Sequence, residues 1–250
     1  MNTKRYAMLD SLRGLTLISM IAYHTVWDMV YIFDVKWDWY KSDMAYIWQQ
    51  SICWSFILLS GFCWSFGKVK WKRALTVFLA GIVITVVTLI AMPQERIIFG
   101  VLTFLGTAMF LMIPLDKILS KCKPAIGFVI SFLLFLVVRN INEGELGFEG
   151  IVLMELPDSW YSGWLATYLG FTESSFFSTD YFSVLPWIFL FITGYFLHGI
   201  MKQKGWFVYL EKGKCVWLEN LGKNSLWIYM LHQPIAYGAL WVVFRLFLKG

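Results

Sequence analysis

Apolar runs divide the chain at roughly 9–33, 45–66, 73–92, 97–114, 125–139, 181–200 and 225–247. Most approach the ~20 residues a helix needs to cross a bilayer; the fifth is short and is expected to extend or tilt. Pro186 and Pro234 fall inside the sixth and seventh runs and predict kinks there. The first run is unlike the others because it carries Asp10, Arg13, His24 and Asp28. Arg13 and His24 are 11 residues apart, close to three turns at ~3.6 residues per turn. Asp28 follows His24 by four residues and Asp10 precedes Arg13 by three, so each pair shares a face. The pattern predicts one polar stripe down an apolar helix. Ionisable groups at membrane depth are costly unless they meet a partner or a cavity, so the stripe reads as a cavity wall.

Composition turns these runs into an architecture. The chain is 59% hydrophobic, with mean hydropathy +0.64 and only 15% charged residues. That excess of apolar surface predicts an all-α, polytopic membrane helical bundle of about seven transmembrane helices. The 250 residues leave room for a single membrane domain, 1–250, and no separate soluble one. Aromatics make up 19%, and many are expected at the membrane–water interfaces.

Charge sets the orientation. Most of the 21 basic residues lie at the N-terminus or in the connections 67–73, 115–124 and 201–224. The positive-inside rule then places the N-terminus in the cytoplasm of a multi-pass protein of the plasma (inner) membrane. The connection 140–180 is acidic and belongs outside. Its apolar section 150–171 is interrupted by Pro157, Asp158 and Gly163 and predicts an interfacial or re-entrant helix. The segment 201–224 reads as a polar loop, with Trp206 to Leu210 at the interface. The net charge of +5 follows from topology and does not indicate nucleic acid. Cys53 and Cys63, about 15 Å apart on one helix, are too distant for a disulfide. Cys122 and Cys215 fall in connections assigned to the reducing cytoplasm. Lys4 and Arg5 precede an apolar run with no small-residue cleavage site, which reads as an uncleaved span.

Each candidate residue has a chemical and a plain reading. His24 lies about 16 Å of helix from Arg13, at membrane depth, and can act as base, acid or nucleophile. Asp28 one turn on can orient it. The plain alternative is a structural histidine bonded to a neighbouring helix. Arg13 is either an anion-facing cation at a cavity mouth or the partner of Asp10. Lys68, Lys70, Lys72 and Arg73 form a basic turn that suits phosphate or simple anchoring. Gln50 can face the cavity. Asp180 reads as a helix-start acid or as a group facing an incoming acceptor. His232 precedes Gln233-Pro234, where it can meet a substrate or a carbonyl freed by the proline. His198 sits at a helix end and is assigned no chemistry. No spacing suggests a metal site, and no phosphate-binding glycine loop or nucleophile elbow is present.

Four segments are familiar in sequence. Leu9-Asp10-Ser11-Leu12-Arg13-Gly14-Leu15, followed by His24, resembles the opening of the transmembrane acyltransferases. Phe56-Ile57-Leu58-Leu59-Ser60-Gly61-Phe62 is similar to a second-span F-x-x-x-S-G-F run. Asp180 to Trp187 resembles D-Y-F-P-L-L-P-W, with Ser183 where proline is usual, and Leu221 to Pro234 is similar to a late signature. The group they resemble is the heparan-α-glucosaminide N-acetyltransferase-like family, including its small bacterial members.

That resemblance implies a membrane-bound acyltransferase, an enzyme passing acetyl from cytoplasmic acetyl-CoA to a sugar or other cell-envelope acceptor. On this reading His24 and Asp28 are catalytic. Arg13, Lys68, Lys70, Lys72 and Arg73 hold the phosphates of acetyl-CoA, and Gln50, Asp180 and His232 meet the acceptor. No metal is required. His24 either deprotonates the acceptor or carries the acetyl group itself; both routes stay open. The partners implied are acetyl-CoA, a small-molecule or glycan acceptor and the lipid bilayer, and a homo-oligomer is compatible with the sequence. The competing class is a non-enzymatic transporter or binding protein that uses the stripe as a solute path; no inverted repeat is visible in its favour.

Overall fold

The computed structural model describes residues 6–67, 69–211 and 215–247, so Lys68 lies outside the described residues. The fold is helical apart from one small hairpin. Its helices are α1 (Ala7–Tyr31), α2 (Asp43–Trp64), α3 (Lys70–Ala91), α4 (Val101–Leu119), α5 (Pro124–Val137), α6 (Trp164–Leu169), α7 (Trp187–Gln203), α8 (Val216–Lys223) and α9 (Ser225–Phe247). Strands β1 (Glu145–Phe148) and β2 (Ile151–Glu155) pair antiparallel.

Each predicted apolar run overlaps one of the longer helices, with ends that differ by up to six residues. Local chemistry sets their ends. Pro124 opens α5 at a position where its missing N–H costs nothing. Pro93 follows α3 closely, and Gly205, with φ 69°, follows the last residues of α7 in the left-handed region. Among the described residues, two helices, α3 and α4, are long and apolar enough to cross a membrane. α5 and α7, at 14 and 17 residues, are short for a span, and α1 is interrupted by the polar stripe. α3 exposes Leu75, Leu79, Ile82, Val83, Val86 and Ile90, and α5 exposes Ile126, Val129, Ile130 and Leu133. Apolar faces of this kind are unfavourable in water and suit lipid.

The helices group into two compact units. The first is Met1–Phe56 with Gly205–Gly250; the second is Ile57–Lys204.

In the first unit α1 is the central element. α8 lies against it at backbone contact: a Cβ on Gly14 would overlap the Leu218 carbonyl, and one on Gly222 would overlap that of Asp10. Small residues permit such close approach. On the same helix, Leu17 and Met20 pack with Ile52 of α2, and Ile228 and Tyr229 of α9 close over them. Trp48 donates its indole N–H to Ser19 Oγ at 2.8 Å. Phe33 stacks on Phe244 at 4.6 Å between ring centres, fixing the far end of α9.

In the second unit, glycines again set the spacing. Gly81 meets the backbone at Leu102 and Thr103, and Gly106 that of Phe78, joining α3 to α4. Gly61 abuts the Phe191 carbonyl while Gly194 abuts that of Leu58, so the end of α2 and α7 interlock. Ser131 and Thr193 share a buried hydrogen bond of 2.9 Å between α5 and α7.

Three sequence expectations are corrected. First, 150–171 is not an interfacial or re-entrant helix; it holds β2, a 3-10 turn and the six-residue α6. Glu149 and Gly150, with φ 44° and 84°, link Phe148 to its partner Ile151. Two positive φ values in a two-residue loop favour a hairpin over a helix. Second, Pro186 is not inside the helix of the sixth apolar run, α7, which begins at Trp187. Third, the described part of 201–224 is not all loop; it includes a 3-10 turn at Trp206–Leu210 and α8. By contrast, α9 continues through Pro234 to Phe247.

Candidate functional site

The face of α1 that carries Asp10, Gly14, Leu17, His24 and Asp28 turns toward α8 and α9. Helical periodicity puts them there, and the glycine contacts hold α8 close enough to cover the first turns. Farther along, α9 takes over. His24 and His232 lie ring to ring, with centroids 5.0 Å apart and planes at 58°. Tyr23 and Tyr229 flank the pair, at 6.0 Å from His24 and 5.4 Å from His232. His24 is half-buried, and His232 is 9% exposed.

Asp28 is fully buried, and its Oδ1 accepts a hydrogen bond from the Gln233 amide at 2.5 Å. The expected orienting bond between Asp28 and His24 is not formed among the described residues. Gln233, on α9, takes that place. His232 Nδ1 lies 2.5 Å from the Tyr229 carbonyl. A carbonyl only accepts, so Nδ1 must carry the proton, and in the neutral ring Nε2 is a bare acceptor. The carbonyl it meets is Tyr229's, one residue before the Met230 carbonyl that Pro234 leaves without its helical donor.

Three atoms of this region are buried without a partner: Asp28 Oδ2, Gln233 Oε1 and His232 Nε2. All three are acceptors. Buried acceptors are rarely left unpaired, so three together mark a place where water or a donor group of a ligand belongs. Tyr40, from the connection before α2, packs on Tyr23 at 5.1 Å and donates to its carbonyl at 3.3 Å. Burial, with help from the Tyr23 phenol, pushes the Tyr40 hydroxyl above its ordinary value and keeps it protonated.

The remaining sequence candidates are placed as follows. Arg13 Nη1 forms an ion pair with Asp10 at 3.1 Å, one turn away on α1. Lys70 pairs with Asp116 at 3.1 Å and lies 3.6 Å over the Trp64 ring. Arg73 donates to the Cys63 carbonyl at 3.3 Å, near the end of α2. Lys72 reaches outward over the exposed Trp71 ring. Gln50 accepts from the Trp54 indole at 3.2 Å. Asp180 does start a helix, but not its own: Oδ2 accepts from the Val101 amide at 3.3 Å and so caps α4. Ser178 beside it accepts from Ile98 N at 2.9 Å. Among the described residues, no group of three His, Cys, Asp or Glu side chains could hold a metal ion.

Sequence reasoning missed Gln233 as a member of the site. A signal was present: an amide directly after a histidine in an apolar run is costly unless it meets a polar partner. Tyr229 contributes through its backbone, which no side-chain pattern announces.

No curated protein and no solved structure matches the chain. The family model described as heparan-alpha-glucosaminide N-acetyltransferase, catalytic, matches residues 5–234, a stretch that includes His24, Asp28, His232 and Gln233. The chain therefore belongs to the heparan-α-glucosaminide N-acetyltransferase catalytic family of acetyltransferase-type membrane enzymes.

Proposed function

We propose that the protein is an integral membrane acyltransferase that moves acetyl from cytoplasmic acetyl-CoA to a sugar or other cell-envelope acceptor. The observation that carries this reading is the histidine pair, set among buried acceptor atoms in a chain of an acetyltransferase family. His24 is the reacting group. It either removes the proton of the acceptor's amine or hydroxyl, or takes the acetyl group and passes it on. Asp28, bonded to Gln233, supports it when ionised by stabilising the imidazolium. The acceptor's own N–H or O–H groups supply the donors that Asp28 Oδ2 and Gln233 Oε1 lack.

The donor's phosphates call for cations. Arg13 in the first unit and the 68–73 turn in the second are each candidates. Among the described residues of that turn, Lys70 and Arg73 hold protein partners, which makes Lys72 the leading contributor beside Lys68. Gln50 and Asp180 have protein partners of their own and are weaker candidates for touching the acceptor. On this reading the seven longer helices span the bilayer, with the N-terminus in the cytoplasm. The apolar surfaces of α3 and α5 support it. The family match runs through both units, which supports one catalytic domain.

Binding of CoA to the purified protein in lipid nanodiscs tests this against a solute-path reading. An acyltransferase binds CoA saturably and is competed by acetyl-CoA. Absence of saturable CoA binding by folded protein contradicts the proposal.

A further inference from the structure

The sequence stripe singles out His24, while in sequence His232 is expected only to meet the acceptor or a freed carbonyl. The geometry points to His232 as the positioning residue of His24, filling the role that an aspartate fills in a catalytic triad. This rests on the acyl-transfer reading of His24.

The argument starts from the fixed tautomer. The Tyr229 carbonyl holds the proton of His232 on Nδ1. That leaves Nε2 as a lone-pair acceptor, buried and without a partner. The His24 ring lies beside that of His232, with centroids 5.0 Å apart. At that separation, facing nitrogens come within about 3 Å, the ordinary hydrogen-bond range. The bond is open in this structure. The terminal torsion of histidine is broad, so a turn of the His24 ring closes it. Catalytic hydrogen bonds commonly tighten only when substrate is bound. Asp28 Oδ1 is held by Gln233, and Asp28 Oδ2 makes no bond to His24.

Closure gives a chain with one direction. One ring N–H of His24 donates to His232 Nε2, and His232 Nδ1–H donates to the Tyr229 carbonyl. The other nitrogen of His24 is thereby left bare and turned to the substrate. When the acceptor attacks the thioester carbonyl, its proton moves to that bare nitrogen. The inner proton of His24 shifts toward His232 Nε2, so the positive charge is shared between two rings. As the tetrahedral centre collapses, the carbon–sulfur bond breaks. The inner proton returns, and the outer proton goes to the departing CoA thiolate. One proton is taken and one is given, and both histidines end neutral.

The test uses the protein's histidine content, which is three: His24, His198 and His232. Protein labelled with nitrogen-15 histidine and placed in lipid nanodiscs gives few enough ring signals to assign by single variants. His198 packs on Phe62 and Phe66 in the second unit and serves as the internal reference. Wild-type protein is expected to show His232 protonated at Nδ1 and His24 in one dominant tautomer. His232→Asn keeps a donor for the Tyr229 carbonyl but has no base at the Nε2 position. It should shift the His24 ring nitrogens toward a tautomer mixture and leave His198 unmoved. His232→Gln puts an amide oxygen near the Nε2 position and should restore the single tautomer. Unchanged His24 signals in His232→Asn overturn the proposal, whatever the enzyme acts on.

Kinetics with acetyl-CoA and methyl α-glucosaminide as probe acceptor give the second reading. His232→Asn should lower kcat at least about tenfold and leave KM for acetyl-CoA within twofold. Full kcat in His232→Asn alongside an inactive His24→Ala overturns the His232 role alone. Full activity in His24→Ala overturns the acyl-transfer reading instead.

Discussion

At the scale of single residues, the decisive group is a carboxylate with one oxygen bonded and the other bare. Asp28 is fully buried, and Gln233 is its bonded partner. Replacing Gln233 with Leu removes that donor and leaves the carboxylate buried alone. The expected cost is about 1–3 kcal/mol, more if the charge is retained. Thermal unfolding in detergent should show a clearly lower midpoint for Gln233→Leu and a recovered one for Gln233→Leu with Asp28→Leu. If the single variant melts like wild type, the Asp28–Gln233 bond carries no weight. Asp28→Asn keeps an acceptor for Gln233 but removes the charge. Its turnover with acetyl-CoA is expected to fall while its midpoint holds, because the role assigned to Asp28 is electrostatic. Turnover at the wild-type level would assign Asp28 to structure alone.

At the scale of elements, close helix contact through glycine organises both units. Gly222 of α8 sits on the Asp10 carbonyl and Gly14 of α1 on that of Leu218. A side chain at either position must push α8 off α1. Gly222→Val is expected to destabilise by more than about 2 kcal/mol, the range for overpacking a tight contact. A control at Gly238, where an added Cβ would meet nothing within 4 Å, is expected to change little. Equal melting of the two variants would refute the packing account.

The same element explains what could be read in advance. The long helices were legible because each falls in one long, mostly apolar run. α8 was not, because Val216 to Lys223 is short and mixed, and its packing depends on Gly14 of α1, far away in sequence. The β1–β2 hairpin was hidden for a different reason. β2 exposes Ile151, Val152, Leu153 and Met154, so it lacks the alternation that marks a half-buried strand. Its only local sign was the Glu149-Gly150 turn. Asn142 then fixes the connection, donating to the Gly170 carbonyl at 2.8 Å and Ser183 Oγ at 3.0 Å. Asn142→Ala should raise protease cutting within 145–170 without touching α1 or α9; unchanged cutting would show the anchor lies elsewhere.

At the scale of the whole molecule, the account joins a family of membrane acetyltransferases to one pair of facing histidines. The stripe on α1 was readable from spacing alone, and His24 and Asp28 both lie on it. Their partners were not readable, because they come from α9, about 205 residues later in the chain, and only folding brings them together. The basic turn shows the opposite limit. Its composition is plain in sequence, but Lys70 and Arg73 turn out to hold Asp116 and a backbone carbonyl. CoA affinity should therefore weaken severalfold in Lys72→Gln, whereas Lys70→Gln should chiefly lower the melting midpoint. Unchanged CoA affinity in Lys72→Gln would reassign the turn to anchoring.

The central claim is that His24 performs acyl transfer. Its direct test is transfer of labelled acetyl from acetyl-CoA to methyl α-glucosaminide by purified protein in proteoliposomes, wild type against His24→Ala. The variant should bind CoA as wild type does and transfer acetyl about 10²–10⁴-fold more slowly. Transfer at the wild-type rate by a correctly folded His24→Ala protein would contradict the account.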